Sequence, residues 1–459
     1  MKTKFFFQAQ HWTTRGARIL VLAVLLALLA PAITAPAFAA PTLAVESLLN
    51  ADGTLELSKG MSGTVDLRGW NVTLDATRGP VFEPAGQPAD APTAIDWNPP
   101  STGMDNSVLA LAVSGTNVYA GGWFTSAGTC TTNCNRIAKW NGTTWSALST
   151  GMNQNVSALA VDGSGNVYAG GGFTSAGTCT TNCNYVAMWN GTTWSALGTG
   201  MNETVSVFAV SGANVYAGGG FTRAGTCTTN CNRIAMWNGS TWSALGTGMD
   251  GNVFALAIDG GGNVYAGGGF MSAGTCTTNC NSVAMWNGAT WSALGTGTSS
   301  TVYALAVSGA NVYAGGAFAS AGTCMIDCLG IAVWNGSTWS ALGTGMDSTV
   351  NALTVSGTNV YAGGDFTIAG TCTTGCNRIA MWNGTTWSAL GTGMDSTVFA
   401  LAVSGTNVYA GGIFTSAGTC TTGCNYVARY GNTPTAVTLS SFNAQPGFDL
   451  GAWLRSWFK

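Results

Sequence analysis

The chain has 459 residues and a formal net charge of −3, and 7% of its residues are charged, against roughly 25% in an average globular protein. Apolar residues make up 46%, and there are 66 glycines but only 11 prolines, with no Gly-X-Y period. This excludes a disordered polyelectrolyte and a collagen, and the abundance of Gly, Val, Thr and Trp points to an all-β chain.

In chain order the first feature is a leader. Lys2, Lys4, Arg15 and Arg18 precede an apolar run from Ile19 to Ala30, followed by Pro31, Pro36 and the small-residue triplet Ala37-Phe38-Ala39. That is the pattern of a secretory signal peptide over residues 1–39, cut after Ala39 or Ala40. An uncleaved anchor is the alternative, but the run is short for a span of ~20 residues. The expectation is a mature chain with no membrane span, a monomer secreted to the extracellular medium or held at the cell surface.

Loss of the leader removes four basic residues and makes the chain more acidic, which leaves no electrostatic case for nucleic acid or an anionic membrane. It also removes His11, the single histidine. Without it, a Ser-His-Asp or Cys-His arrangement and histidine metal sites are excluded. No cofactor is expected.

Residues 40–92 form a small acidic segment. Its stretch "GTLELSKGMSGTVDLRGWNVTLD" alternates apolar and polar residues, the pattern of a β element.

From residue 93 to 430 the chain is a tandem repeat. The phrase "TVxALAVSGTNVYAGGxFTSAGTCTTNCNRIAMWNGTTWSALGTGM" recurs, marked by Tyr119, Tyr168, Tyr216, Tyr265, Tyr313, Tyr361 and Tyr409 at intervals of 48 or 49 residues. The extra residue falls in the turns Asp162 to Asn166 and Asp259 to Asn263, so the flanking segments read as strands held in register. In the second unit the strands are expected at Val156 to Val161, Asn166 to Phe173, Tyr185 to Trp189 and Thr193 to Leu197. Four strands per unit and no helical stripe give a seven-bladed β-propeller of four-stranded blades. The last unit has Tyr430 but no second Trp. Trp97 lies seven residues before Met104, as Trp145 lies seven before Met152. Residues 93–99 are therefore expected to complete the last blade and close the ring.

Six units carry W-N-G-x-x-W, as at Trp140 and Trp145. An Asn-Gly turn places both indoles on one face of the blade, where each buries ~150–250 Å² against the next. The Gly pair before the third strand is expected to admit a neighbour's backbone.

The "VYAGG" segment, the aromatic after it, the second Trp and the "L…GM" ending resemble the kelch motif over residues 101–430. The resemblance implies the propeller fold. Galactose oxidase, a kelch-like propeller, has a copper centre built on histidines, so that activity is not implied. Fungal cortical polarity-marker propellers look similar too, which implies surface display and not catalysis.

The fourteen cysteines fall in seven C-x₃-C pairs: Cys130/Cys134, Cys179/Cys183, Cys227/Cys231, Cys276/Cys280, Cys324/Cys328, Cys372/Cys376 and Cys420/Cys424. In an exported chain these read as disulfides that staple single loops, with thiolate metal binding by adjacent loops as the alternative. The triplets at Asn141, Asn190, Asn238, Asn335 and Asn383 match glycosylation acceptors but are also hairpin-turn chemistry, since "NGAT" at Asn287 keeps the turn and loses the acceptor.

Candidate chemistry is sparse. Asp105, Glu203, Asp250, Asp347 and Asp395 lie in the loops between units, where a secreted carbohydrate-active enzyme would place its carboxylates. Asn153 and Asn202 share that register and suggest turn residues. Arg136, Arg233 and Arg378 share one register, resembling the arginine cluster of sialidases, but no S-x-D-x-G-x-x-W box accompanies them. Calcium binding at "DGSGN" lacks further acidic ligands.

The main expectation is an exported non-catalytic binding or display scaffold for a protein or glycan. Its site is expected where the units stop agreeing: directly after the Gly pair, units two to five carry Gly172, Gly220, Gly269 and Ala317, while units six, seven and one carry Asp365, Ile413 and Trp123. In a closed ring these three are neighbours, with Arg136 and Arg378 beside them. The tail, 431–459, ends in a small amphipathic stretch (Leu450, Trp453, Leu454, Trp457, Phe458).

Overall fold

The computed structural model describes Trp70–Asp75, Gly79–Pro84 and residues 96–431. The expected leader, most of the acidic segment and the amphipathic tail lie outside the described residues. The chain divides into two units, residues 94–433 and residues 1–93 with 434–459. In the second of these, Trp70–Asp75 pairs antiparallel with Gly79–Pro84, Trp70 opposite Pro84.

The first unit is all β. Blade one has strand A at Val108–Ser114, B at Asn117–Gly122, C at Ile137–Trp140 and D at Trp145–Ala147, hydrogen-bonded in that order and antiparallel throughout. Five more sheets of this kind follow, and a seventh pairs Val398–Ser404, Asn407–Gly412 and Val427–Gly431 with Asp96–Asn98 from the start of the ring. Trp97 stands opposite Tyr430, the pairing that Trp145 makes with Trp140. The ring is a seven-bladed propeller closed by an N-terminal strand, as the sequence leads one to expect. Among the described residues no helix is long and apolar enough to cross a membrane.

The tryptophans hold blade to blade. The two rings of each pair lie 5.3–5.6 Å apart, tilted by 47–51°. Each strand-D indole also donates its Nε1–H across the blade boundary: Trp145 to the Pro100 carbonyl at 2.9 Å, Trp194 to Leu148 at 3.0 Å, and Trp97 to Leu390 at 2.9 Å. A buried indole would otherwise leave this donor unpaired, which carries its own cost. Trp97 therefore does for the closing blade what a covalently continuous strand does for the others.

The glycine pair works differently from the expectation. A Cβ on Gly411 would lie 2.5 Å from Val108 Cγ1 of the next blade, and one on Gly412 would lie 2.1 Å from the Thr397 carbonyl oxygen of its own blade. The first glycine thus receives a neighbour's side chain, and the second its own blade's backbone. Strand B also ends earlier than expected: in blade two it is Val167–Gly171, and Phe173 lies beyond it as a fully buried plug.

Candidate functional site

Strand direction gives the ring two unlike faces. Strand A starts where strand B ends: Val108 faces Gly122, and Trp123 N–H donates to the Ser107 carbonyl at 2.9 Å. The D–A and B–C loops meet at the same edge, where Gly128 N–H donates to the Gly103 carbonyl at 2.7 Å. The opposite, hairpin face carries the A–B and C–D turns.

The loop face carries the disulfides. All seven expected pairs are joined: Cys130–Cys134, Cys179–Cys183, Cys227–Cys231, Cys276–Cys280, Cys324–Cys328, Cys372–Cys376 and Cys420–Cys424, with Cα atoms 5.9–6.1 Å apart. No thiol is left free to bind a metal. Each staple is confined to a single loop, as expected, and burial adds a second role. Cys134, Cys183, Cys231, Cys280, Cys328, Cys376 and Cys424 are fully buried, whereas their partners are only partly so. Each of the seven packs with the Phe plug and the small Ala of its own blade, as Cys134 does with Phe124 and Ala127, and Cys183 with Phe173 and Ala176. The same grouping holds Cys231, Cys280, Cys328, Cys376 and Cys424 in their blades. The physical reason is the return of the chain toward strand C, which carries the second sulfur under the loop and into apolar company. Each bond therefore ties the loop to its blade's core, and does not merely close the loop on itself.

A β-bulge sits at the loop-face end of strand A in every blade. In blade one Val108 pairs with Gly122 and Ala110 with Gly121, so Leu109 has no partner in the ladder. The same shift isolates Ser157, Ser206, Phe254, Tyr303, Asn351 and Phe399. A bulge frees its extra residue from the alternation and re-aims its side chain. Here it aims inward: these six line the central cavity of about 180 Å³ formed by strand A of all seven blades. Phe254 and Tyr303 pack as a tilted pair with centroids 5.6 Å apart. The channel mouth is aromatic over blades four and five, and carries Ser157 and Ser206 over blades two and three. Sequence reasoning missed this ring, although a signal is present: the residue varies from unit to unit between a constant Val and an almost constant Ala.

The residues singled out after the Gly pair lie on this face, outside the bulge ring. Trp123 and Ile413 are each 41% exposed, and Asp365 is partly buried. Arg136 reaches back over Trp123, its guanidinium carbon 5.6 Å from the ring centroid, and donates to the Trp123 carbonyl. Arg378 likewise donates to the Asp365 carbonyl, and Arg233 to that of Gly220. These arginines do not lie in strand C. Each precedes it by one residue with φ near +65°, and Tyr185, Ser282, Gly330 and Tyr426 hold the same left-handed position in the other blades. The backbone reversal there folds the side chain back along the blade. The Asp365 carboxylate accepts from Asn351 Nδ2 at 3.1 Å and from the Thr397 hydroxyl of the next blade, so it ties blade six to blade seven.

The carboxylates of the D–A loops clasp the B–C loops. Asp105 accepts from the Thr125 and Ser126 N–H groups at 2.8 and 3.0 Å and from the Thr125 hydroxyl at 2.5 Å. Burial raises its pKa, but these hydrogen bonds together outweigh it and hold the carboxyl below the ordinary range. Asp250, Asp347 and Asp395 are lowered in the same way. A glycosidase general acid needs the opposite shift. In blades two and three Asn153 and Asn202 make the same clasp, so Glu203 stands one residue out of this register. Blade five departs elsewhere: its disulfide loop exposes Met325 at 72% and Ile326 at 79%, where all six other blades carry Thr-Thr.

No family model and no curated protein matches the chain. Solved structures similar to it include the computationally designed Ika8 protein, at 17% identity and a TM-score of 0.43 over 72% of this chain and 98% of that one. YCF48 bound to D1 peptide aligns at 12% identity and a TM-score of 0.47, over 78% of this chain and 100% of that one. The WD40 β-propeller domain of Doa1 aligns at 11% and 0.43, over 73% and 97%.

Proposed function

We propose that the protein is an exported, kelch-type binding scaffold that holds a protein or glycan partner at the centre of its loop face. The carrying observation is that departures between blades gather there. The bulge residues, the residues after the Gly pair and the left-handed position all vary, whereas the hairpin face repeats Asn-Gly turns and short Ser-Gly turns apart from the longer Asp162 and Asp259 turns of blades two and four. Packing constrains every blade alike, so variation concentrated on the solvent side of one face suits recognition better than architecture. The kelch reading rests on the diglycine and the indole pair; the seven disulfides suit an oxidising compartment.

Phe254, Tyr303 and Phe399 supply apolar contact at the mouth. Trp123 with Arg136, Asp365 with Arg378, and Ile413 form its rim over blades six, seven and one. Rigid aromatic anchors inside a polar rim are the composition of a binding hot spot.

The test replaces Phe254, Tyr303 and Phe399 by the Ser that blades two and three already carry at that position. Captured partners from whole cells and from a glycan array are compared between the parent and the Phe254→Ser, Tyr303→Ser, Phe399→Ser triple variant. The expected result is loss of capture with the melting temperature changed little. Undiminished capture by the triple variant overturns the reading.

A further inference from the structure

On the hairpin face, between blades two and three, lies a cavity of about 610 Å³, within the usual size range of small-molecule sites. It is lined by the five-residue turn Asp162 to Asn166, by Tyr168 and Met188 of blade two, and by Trp237 and Gly239 of blade three. Asp162 is the one charged residue among those lining it.

The hydrogen bonding of that carboxylate is already complete. Oδ1 accepts from the Ser164 and Asn166 N–H groups, both at 2.9 Å, and Oδ2 accepts from Asn166 Nδ2 at 2.8 Å and the Tyr168 hydroxyl at 3.1 Å. With about two lone pairs on each oxygen, no acceptor capacity is left for the hydroxyls of a sugar. The full negative charge remains, with no cation in the lining to offset it. Burial and the Asp162 charge push the Tyr168 phenol up to about 12, so it stays neutral and the cleft stays anionic. A group that is attracted by charge and by aromatic and thioether surface, and that needs no hydrogen bond, fits this chemistry best.

We infer that this cleft is a binding site for an organic cation of the quaternary ammonium class. The chain carries a second version of it. Asp259 accepts from Gly261, Asn263 and Tyr265 at 2.9, 2.9 and 3.1 Å, with Met285 and Trp334 in the places of Met188 and Trp237. The other five blades have Ser at the position of the aspartate and a turn one residue shorter, which makes them internal controls.

Calorimetric titration of the full chain with choline chloride, with glucose as the neutral comparison, tests the assignment. The parent is expected to bind choline and not glucose. Asp162→Asn combined with Asp259→Asn keeps the amide oxygen that the turn N–H groups need and removes the charge, and it weakens choline binding by about tenfold or more. A second variant, in which both turns are replaced by the Ser-Gly-Thr-Asn turn of blade six, is expected to do the same, and covers the case in which the Asn pair misfolds. Sedimentation with phosphatidylcholine against phosphatidylglycerol vesicles separates sources: choline-vesicle binding lost in the variants marks a lipid headgroup, and binding of free choline alone marks a soluble cation. Absence of choline binding by the parent, equal binding by both variants, or glucose binding in its place overturns the inference.

Discussion

The outer tryptophan layer and the inner bulge ring sit on the same blades and obey opposite rules. At the strand-D position the same indole recurs from Trp97 to Trp387, each donating to a carbonyl of the preceding blade. At the bulge position the residue is Leu, Ser, Phe, Tyr or Asn. The tryptophan packs between two blades, so any other residue would leave a cavity and an orphaned carbonyl contact. The bulge residue has no ladder partner and faces the channel, so its identity is free for other uses.

The strongest way to break this contrast is to move a bulge-like change into the tryptophan layer. Trp97→Ala removes a buried indole, its bond to Leu390 and the aromatic partner of Tyr430 in the one strand that closes the ring. A loss of about 3–5 kcal/mol is expected from denaturant melts, whereas Phe254→Ser in the bulge ring should cost far less. Equal losses would show that the bulge ring is also structural.

Next in size are the disulfides, which anchor the loop face to single blades and not blade to blade. Replacing Cys130 and Cys134 by Ala opens a loop of about five residues, for which the chain-entropy picture gives ~2 kcal/mol. The smaller Ala at the buried Cys134 position adds a little to that loss. The melt should remain a single transition, because the blade-to-blade contacts of Val108 and Trp145 are untouched. Separation of blade one as an independent transition would mean that the staple supports the ring.

Asp365 sharpens the comparison because it stands in both camps. Its variable position suggests recognition, but its carboxylate holds Asn351 and, across the blade boundary, Thr397. Asp365→Ala is expected to cost about 1 kcal/mol of stability, and Ile413→Ala, at the same position in the next blade, much less. A thermal melt of the two variants side by side decides whether the link carries stability.

The architecture is legible in the sequence because repetition multiplies a weak signal. One "VYAGG" is an ambiguous strand, but seven at a period of 48 or 49 fix strand count, turn positions and even the borrowed strand at Trp97. The candidate site is legible only in part. Trp123, Asp365 and Ile413 stand out because they replace glycine. Phe254, Tyr303 and Phe399 look like ordinary strand residues, since a bulge leaves no mark in composition and appears only when the pairing register is known. The C-x₃-C spacing shows which cysteines pair, but not that the second of each pair is buried, because that depends on how the loop folds over the blade. The left-handed backbone at Arg136 and Arg378 is hidden for a similar reason: non-glycine residues adopt it rarely, and here the bonds of Arg136 N–H to Phe124 O and of Gly122 N–H to Arg136 O hold it in place.

The smallest effect concerns the loop clasps, where blades one, four, six and seven use Asp and blades two and three use Asn. Asp105, Asp250, Asp347 and Asp395 have folded pKa values below the ordinary carboxylate value. Their contribution is therefore complete above the unfolded pKa of about 4 and disappears as pH falls through the lower folded value. Asn153 and Asn202 hold the same N–H groups without titrating. Converting the four aspartates to asparagine should leave the melting temperature near neutral pH almost unchanged and move the acid midpoint down by a fraction of a pH unit. The clasps are largely solvent-exposed, and screening keeps the effect small. Acid melts of the parent and the four-site variant make the comparison, with circular dichroism as the readout. Superimposable acid curves would mean that protonating the four carboxylates costs the folded state nothing, and that the Asp and Asn clasps are interchangeable at every pH.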